Sequence, residues 1–189
     1  MAKSNQEIEV KLRIDSVVAT RRLLRRLGFS IVKARVFEIN TILYTAPGTL
    51  RSGRKLLRMR QAGHRYTLTF KGPPTLGRYK SREEVEAEFS DPTSMRRILE
   101  RLGYSPVFRY EKYRTEYARP EDAGAVMLDE TPIGVFLELE GRPRWIDRIA
   151  SALGFSHDAY ITASYGKLYL DDCKAKGVEP TNMVFRRKR

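Results

Sequence analysis

Eight residues near the start, Glu7-Ile8-Glu9-Val10-Lys11-Leu12-Arg13-Ile14, alternate strictly between charge and hydrocarbon. Successive side chains of a strand leave on opposite faces, so Glu7, Glu9, Lys11 and Arg13 share one face and the four aliphatics the other. Alone, such a strand predicts an antiparallel sheet with one wet side. The same mixture of acids and bases recurs on most later strand-like segments. A fold that joins the aliphatic faces must therefore also gather the ionic ones.

The remaining segments follow in order. Asp15 or Ser16 is placed to cap a helix over Val17, Val18, Leu23, Leu24 and Leu27, with Gly28 as its stop and Arg21, Arg22, Arg25 and Arg26 on its solvated side. A β-prone run spans Ser30 to Tyr44, and a Gly/Pro loop spans Ala46 to Arg54. Residues 56–60 and 66–71 read as a hairpin ended by Gly72-Pro73-Pro74, since proline supplies no ladder donor. Residues 75–80, with Arg78 and Lys80, read as an exposed mobile loop. Residues 82–89 alternate again. Asp91 and Pro92 then start a helix, and residues 104–118 make a long strand. A second hairpin, 126–130 with 135–140, turns around Pro132-Ile133-Gly134. Helices begin at Pro143 and near Ser164, the last ending by Gly177.

This divides the chain into a domain, 1–177, and a basic tail, 178–189, whose end Arg186-Arg187-Lys188-Arg189 reads as disordered. Arg-Leu-Gly-Phe at 26–29 echoes Arg-Leu-Gly-Tyr at 101–104, each between a shorter and a longer strand, which suggests two similar halves closing one sheet. The single cysteine, Cys173, rules out an internal disulfide and fits a reducing cytoplasm. No apolar run reaches the length of a membrane span. The net charge of +13 asks for an anionic partner, and nucleic acid, a membrane surface or a polyphosphate all meet it.

The ionic face decides among folds. It collects Glu7, Glu9, Lys11, Arg58, Arg60, Lys71, Arg82, Glu84, Glu86, Lys112, Arg114, Asp129, Glu138 and Glu140. A merely solvated face also accepts Ser, Thr, Asn and Gln freely; this one is almost wholly ionic. The expected fold is α+β: a closed eight-stranded antiparallel barrel with helices packed outside and the charges turned inward. Burying unpaired ions costs several kcal/mol each, about enough to imply a site rather than a stabilising device. Arginine and lysine bind phosphate oxygens, and paired carboxylates suit hard divalent cations. A short polyanion fits such a bore; a duplex does not.

Glu7-x-Glu9-x-Lys11 resembles the signature of the CYTH superfamily of triphosphate tunnel metalloenzymes, which includes class IV adenylyl cyclases, thiamine triphosphatases and inorganic triphosphatases. The likeness continues through Arg58-x-Arg60, Lys71 in Thr-Phe-Lys-Gly-Pro, Arg82-x-Glu84-x-Glu86, Lys112-x-Arg114, Asp129 and Glu138-x-Glu140. The resemblance implies Mg²⁺ or Mn²⁺ held by Glu7, Glu9, Asp129, Glu138 and Glu140. It implies a triphosphate bound by Lys11, Arg58, Arg60, Lys71, Arg82, Lys112 and Arg114, with Lys71 and Arg82 in the catalytic part. Glu84 and Glu86 are expected to orient the bases, and Ser164-Tyr165 to serve as helix cap and packing. Either ATP is cyclised with release of pyrophosphate, or a triphosphate is hydrolysed. A homodimer is a further expectation from the family. The non-enzyme alternative is a polyphosphate or nucleotide binder. Specific nucleic-acid binding is disfavoured, because aromatic residues are not interleaved with the basic ones.

Overall fold

Eight antiparallel strands close into a barrel in the computed structural model, which describes residues 6–46, 48–75 and 77–186. The strands are β1 (Gln6–Ile14), β2 (Ser30–Thr45), β3 (Leu56–Ala62), β4 (Arg65–Lys71), β5 (Lys80–Phe89), β6 (Tyr104–Ala118), β7 (Ala125–Thr131) and β8 (Gly134–Glu140). Around the barrel they run β1-β5-β4-β3-β2-β6-β7-β8. Exchanging each strand of the first four with its counterpart in the second four returns the same order, so the echo in the sequence is a pseudo-two-fold in the connectivity. Its axis passes between the β1–β5 and β2–β6 pairs.

Register carries the alternation around the wall. Val10 pairs with Leu139 and Leu12 with Leu137, while Glu9 pairs with Glu140 and Lys11 with Glu138. Directly opposed residues point to the same face, so hydrocarbon collects on one side and charge on the other.

The hydrocarbon side lies under two helices, α1 (Val17–Arg26) and α4 (Pro143–Ala152). Val10, Leu12, Val126, Leu128, Leu137 and Leu139 meet Leu24, Trp145, Ile146 and Ile149 in the main core. Each such side chain stabilises by about 1.5–3 kcal/mol on leaving water. The Trp145 ring lies against Gly124, where a Cβ would come within 2.6 Å of its atoms. Another helix, α3 (Pro92–Arg101), sets Leu99 on Leu43 and Met59. Inside the barrel Ile42, Tyr110 and Phe136 meet Tyr165, the first residue of α5 (Tyr165–Lys176), and Met183. Numbered in chain order, α2 is the turn Thr49–Ser52.

Caps fall where side-chain chemistry demands them. Ser16, not Asp15, caps α1: its Oγ accepts from the Ala19 amide at 3.2 Å. Asp91 caps α3 and Ser164 caps α5. Gly177 takes the left-handed conformation that stops α5.

Three segments differ from the sequence reading. The loop 46–54 contains the single turn α2. Lys80 opens β5 instead of ending a mobile loop, because the strand starts two residues earlier than its alternation announces. The stretch from Val178, read as a basic tail, returns to the barrel: Met183 bridges Tyr110 in parallel, is fully buried, and exchanges backbone hydrogen bonds with Arg109 and Glu111. Phe185 adds a ring contact to Phe37 and Tyr113. Residues 187–189 of the expected disordered end lie outside the described residues. No helix among the described residues is long and apolar enough to cross a membrane.

Candidate functional site: a charged bore

Inside the barrel is a cavity of about 990 Å³. Of the fourteen residues gathered from sequence, thirteen line it: Glu7, Glu9, Lys11, Arg58, Arg60, Lys71, Arg82, Glu84, Glu86, Lys112, Arg114, Glu138 and Glu140. Asp129 lies behind the lining, fully buried.

Each wall has a local reason. On β1, Lys11 Nζ donates to Glu9 Oε1 at 3.1 Å and lies 3.3 Å from Glu138 of β8. On β4, Lys71 Nζ donates to Glu7 at 2.9 Å and to Glu84 at 2.6 Å. Arg58 of β3 donates to Thr69 and Glu84, both at 3.2 Å. Glu84 thus ties Lys71 to Arg58, while Glu86 is exposed and accepts from the Thr69 hydroxyl. On β6, Lys112 donates to Asp129 at 2.8 Å, and Arg114 grips both Asp129 oxygens at 2.7 and 2.6 Å and also reaches Glu138. The Tyr165 hydroxyl donates to Asp129 at 2.7 Å, and its ring lies 5.2 Å below both Lys11 and Lys112. Tyr165 therefore does more than pack, and Ser164 caps as expected.

Arg82 is set apart. Its guanidinium donates to the Gly72 carbonyl at 3.0 and 2.8 Å, pinning the turn after β4, and among the described residues it makes no carboxylate ion pair.

Electrostatics divide the acids into two groups. Burial raises a carboxyl, and neighbouring cations lower it. Burial pushes Glu7 up to about 8, with Glu84 sharing a hydrogen bond and Glu9 adding repulsion against the pull of Lys71. Burial likewise raises Glu140, joined by repulsion from Glu9 and Glu138. For Glu9 burial is outweighed by Lys11 and Lys80, and for Glu138 by Arg114, Lys112 and Lys11; both are held well below the carboxylate range. So Glu7 and Glu140 stand in a locally acid-rich part of the wall, where an added cation would be welcome. Hard oxygen donors at Glu7, Glu9, Glu138 and Glu140 suit Mg²⁺ or Mn²⁺. Among the described residues no three acidic, His or Cys side chains are already drawn together around an ion-sized gap. Asp129, the fifth expected ligand, has both oxygens committed to Arg114, Lys112 and Tyr165.

Sequence reasoning missed Glu38, Asn40, Tyr110 and Lys80. Glu38 and Asn40 are buried at alternate positions of β2, and Asn40 accepts from Arg60 Nε at 2.9 Å. Burial alone would raise Glu38, but Lys112 and Arg60 hold it at about 2. Glu38 and Asn40, spaced by two among Val36, Phe37, Ile39 and Ile42, were the available signal.

The fold and this lining define a closed β-tunnel whose interior is lined by paired acids and bases. The CYTH domain family matches residues 5–148, and the chain belongs to that family. It is 31% identical over 172 residues to a Methanocaldococcus jannaschii protein named "Putative adenylate cyclase MJ0240", covering 86% of this chain and 97% of the relative. Among solved structures, a Vibrio parahaemolyticus protein superposes with a TM-score of 0.77 at 19% identity, covering 88% of this chain and 98% of the other. PH1819 of Pyrococcus horikoshii OT3 superposes at 0.71 with 24% identity, covering 88% and 99%. The Hippeastrum protein HpAC1, described as having a dominant triphosphatase activity, superposes at 0.65 with 22% identity, covering 88% and 96%.

Proposed function

We propose that this chain is a divalent-metal-dependent enzyme that acts on a triphosphate substrate inside the tunnel. One observation carries the reading: Lys11, Arg58, Lys71, Lys112 and Arg114, from four strands, are all buried and all face one cavity large enough for a triphosphate. Five buried bases on a common space cost too much in desolvation to be a packing device. The name of the archaeal relative supports the same substrate class.

Glu7, Glu9, Glu138 and Glu140 would hold Mg²⁺ or Mn²⁺, which when bound supplies neutralisation of phosphoryl charge and activation of the attacking oxygen. The chain's own bases do the rest. Lys11, Lys112 and Arg114 are fixed by Asp129, Glu138 and Tyr165, so they meet the phosphate chain already oriented. Lys71 and Arg58, linked through Glu84, stabilise charge that grows on the transferring and leaving groups. Arg82 keeps the turn at Gly72 in place and adds positive potential to the bore.

Two attacks fit the tunnel. Water at the terminal phosphorus releases orthophosphate; a ribose 3′-hydroxyl at the α-phosphorus closes cyclic AMP and releases pyrophosphate. Incubation with ATP or inorganic triphosphate and Mn²⁺, followed by separation of products, tests the proposal. Orthophosphate or cyclic AMP formed only with metal is the expected result. Tight binding with every substrate intact would make the protein a polyphosphate binder and overturn the enzymatic reading.

A further inference from the structure

We propose that Lys80 is a substrate-binding residue, a cation that the resting tunnel keeps in reserve for a phosphate group. The inference rests on the reading above, that the tunnel takes a triphosphate.

Register fixes where Lys80 points. Its Cα partner across β1–β5 is Glu9, and directly opposed residues share a face. Glu9 is buried in the bore, so Lys80 enters the bore too. Its side chain is 11% exposed, it lines the cavity, and its Nζ lies 2.5 Å from Glu9 Oε1.

Ion pairing separates it from Lys11, Lys71, Lys112 and Arg114. Lys11 meets Glu9 and Glu138; Lys71 meets Glu7 and Glu84; Lys112 meets Glu38 and Asp129; Arg114 meets Asp129 and Glu138. Each has two carboxylates. Among the described residues Lys80 has one, Glu9, and Glu9 already holds Lys11. Other bore carboxylates also hold two cations, but a buried ammonium whose single partner is shared has its desolvation repaid poorly. An arriving phosphate oxygen can take Lys80 from Glu9 without stranding either group, because Glu9 keeps Lys11 and Lys80 gains an anion.

The start of β5 is held for this. Tyr79, next in the chain, donates its hydroxyl to Asp147 of α4 at 2.7 Å. Asp147 also accepts from the Tyr160 hydroxyl at 2.9 Å and faces His157 Nε2 at 3.3 Å. This clamp lies on the outer side of the wall and fixes the backbone from which Lys80 reaches inward. Asp147 is accordingly a positioning residue.

The test is calorimetric titration of the full chain with sodium tripolyphosphate, with folding checked by circular dichroism. Lys80→Gln is expected to weaken binding roughly ten- to hundredfold, the worth of one charge-assisted contact, and Lys80→Arg to restore most of it. Asp147→Asn is expected to weaken binding in the wild-type background and to have no added effect in the Lys80→Gln background. Wild type and Lys80→Gln binding equally tightly would overturn the inference while leaving the tunnel reading intact. A wild-type protein that does not bind tripolyphosphate would overturn both.

Discussion

Asp129 is where stability and site chemistry pull apart. It is fully buried and accepts from Lys112, from Arg114 twice, and from Tyr165. Asp129→Asn keeps the shape but removes the anion and turns an N–H toward one of those donors. Removing one partner of a buried ion pair costs about 3–5 kcal/mol. For a domain of this size each kcal/mol moves Tm by about 2–4 °C, so Tm should fall by roughly 6–20 °C. Scanning calorimetry in EDTA is the assay. Chelation matters, because the resemblance to the family implies a metal-holding role for this carboxylate, and EDTA separates that role from ion pairing. An acid whose only work is to hold a cation repels Glu138 when the cation is gone, so its neutralisation would leave Tm unchanged or raise it. A variant within about 2 °C of wild type in EDTA would therefore refute the argument that Asp129 anchors Lys112 and Arg114.

Other expectations follow from the same wall. Glu138→Ala and Glu140→Ala should each abolish metal-dependent turnover in the product assay while circular dichroism stays native; full activity in both would remove the assigned role. Glu38 is held at about 2, below its ordinary 4.5, so it contributes stability that is present above the higher value and lost as pH falls toward the lower. That contribution is at most ~3 kcal/mol, and Glu38→Gln should flatten the fall of Tm in this acid window; parallel curves for the two proteins would count against it. Gly124→Ala places a methyl group 2.6 Å from the Trp145 ring. It should destabilise by about 1–3 kcal/mol in urea melts, without change in tripolyphosphate affinity.

Much of the architecture was legible because the charge alternation has a period of two and the wall has a period of two. Glu7 to Ile14 announced both faces of β1, and Lys71, Arg82 and Glu138 fell on the bore side by the same count. Lys80 was hidden because Gly72, Pro73 and Pro74 mark a chain break, and nothing local says where pairing resumes. It resumes because β1 offers a partner across the barrel. Met183 was hidden for a related reason: the slot beside Tyr110 exists only once β6 runs past the start of its pairing with β7. The two oxygens of Asp129 could not be assigned from spacing, since Arg114 and Tyr165 reach them from separate elements.

The pseudo-two-fold relates β3–β4 to β7–β8 and sets those hairpins on opposite walls. Their inward ions are unlike: Arg58, Arg60 and Lys71 on one, Asp129, Glu138 and Glu140 on the other. A scaffold whose two halves are topologically equivalent thereby carries opposite charges on its paired hairpins, each answered by counter-ions from the strands between them: Glu84 and Glu7 on one side, Lys112, Arg114 and Lys11 on the other.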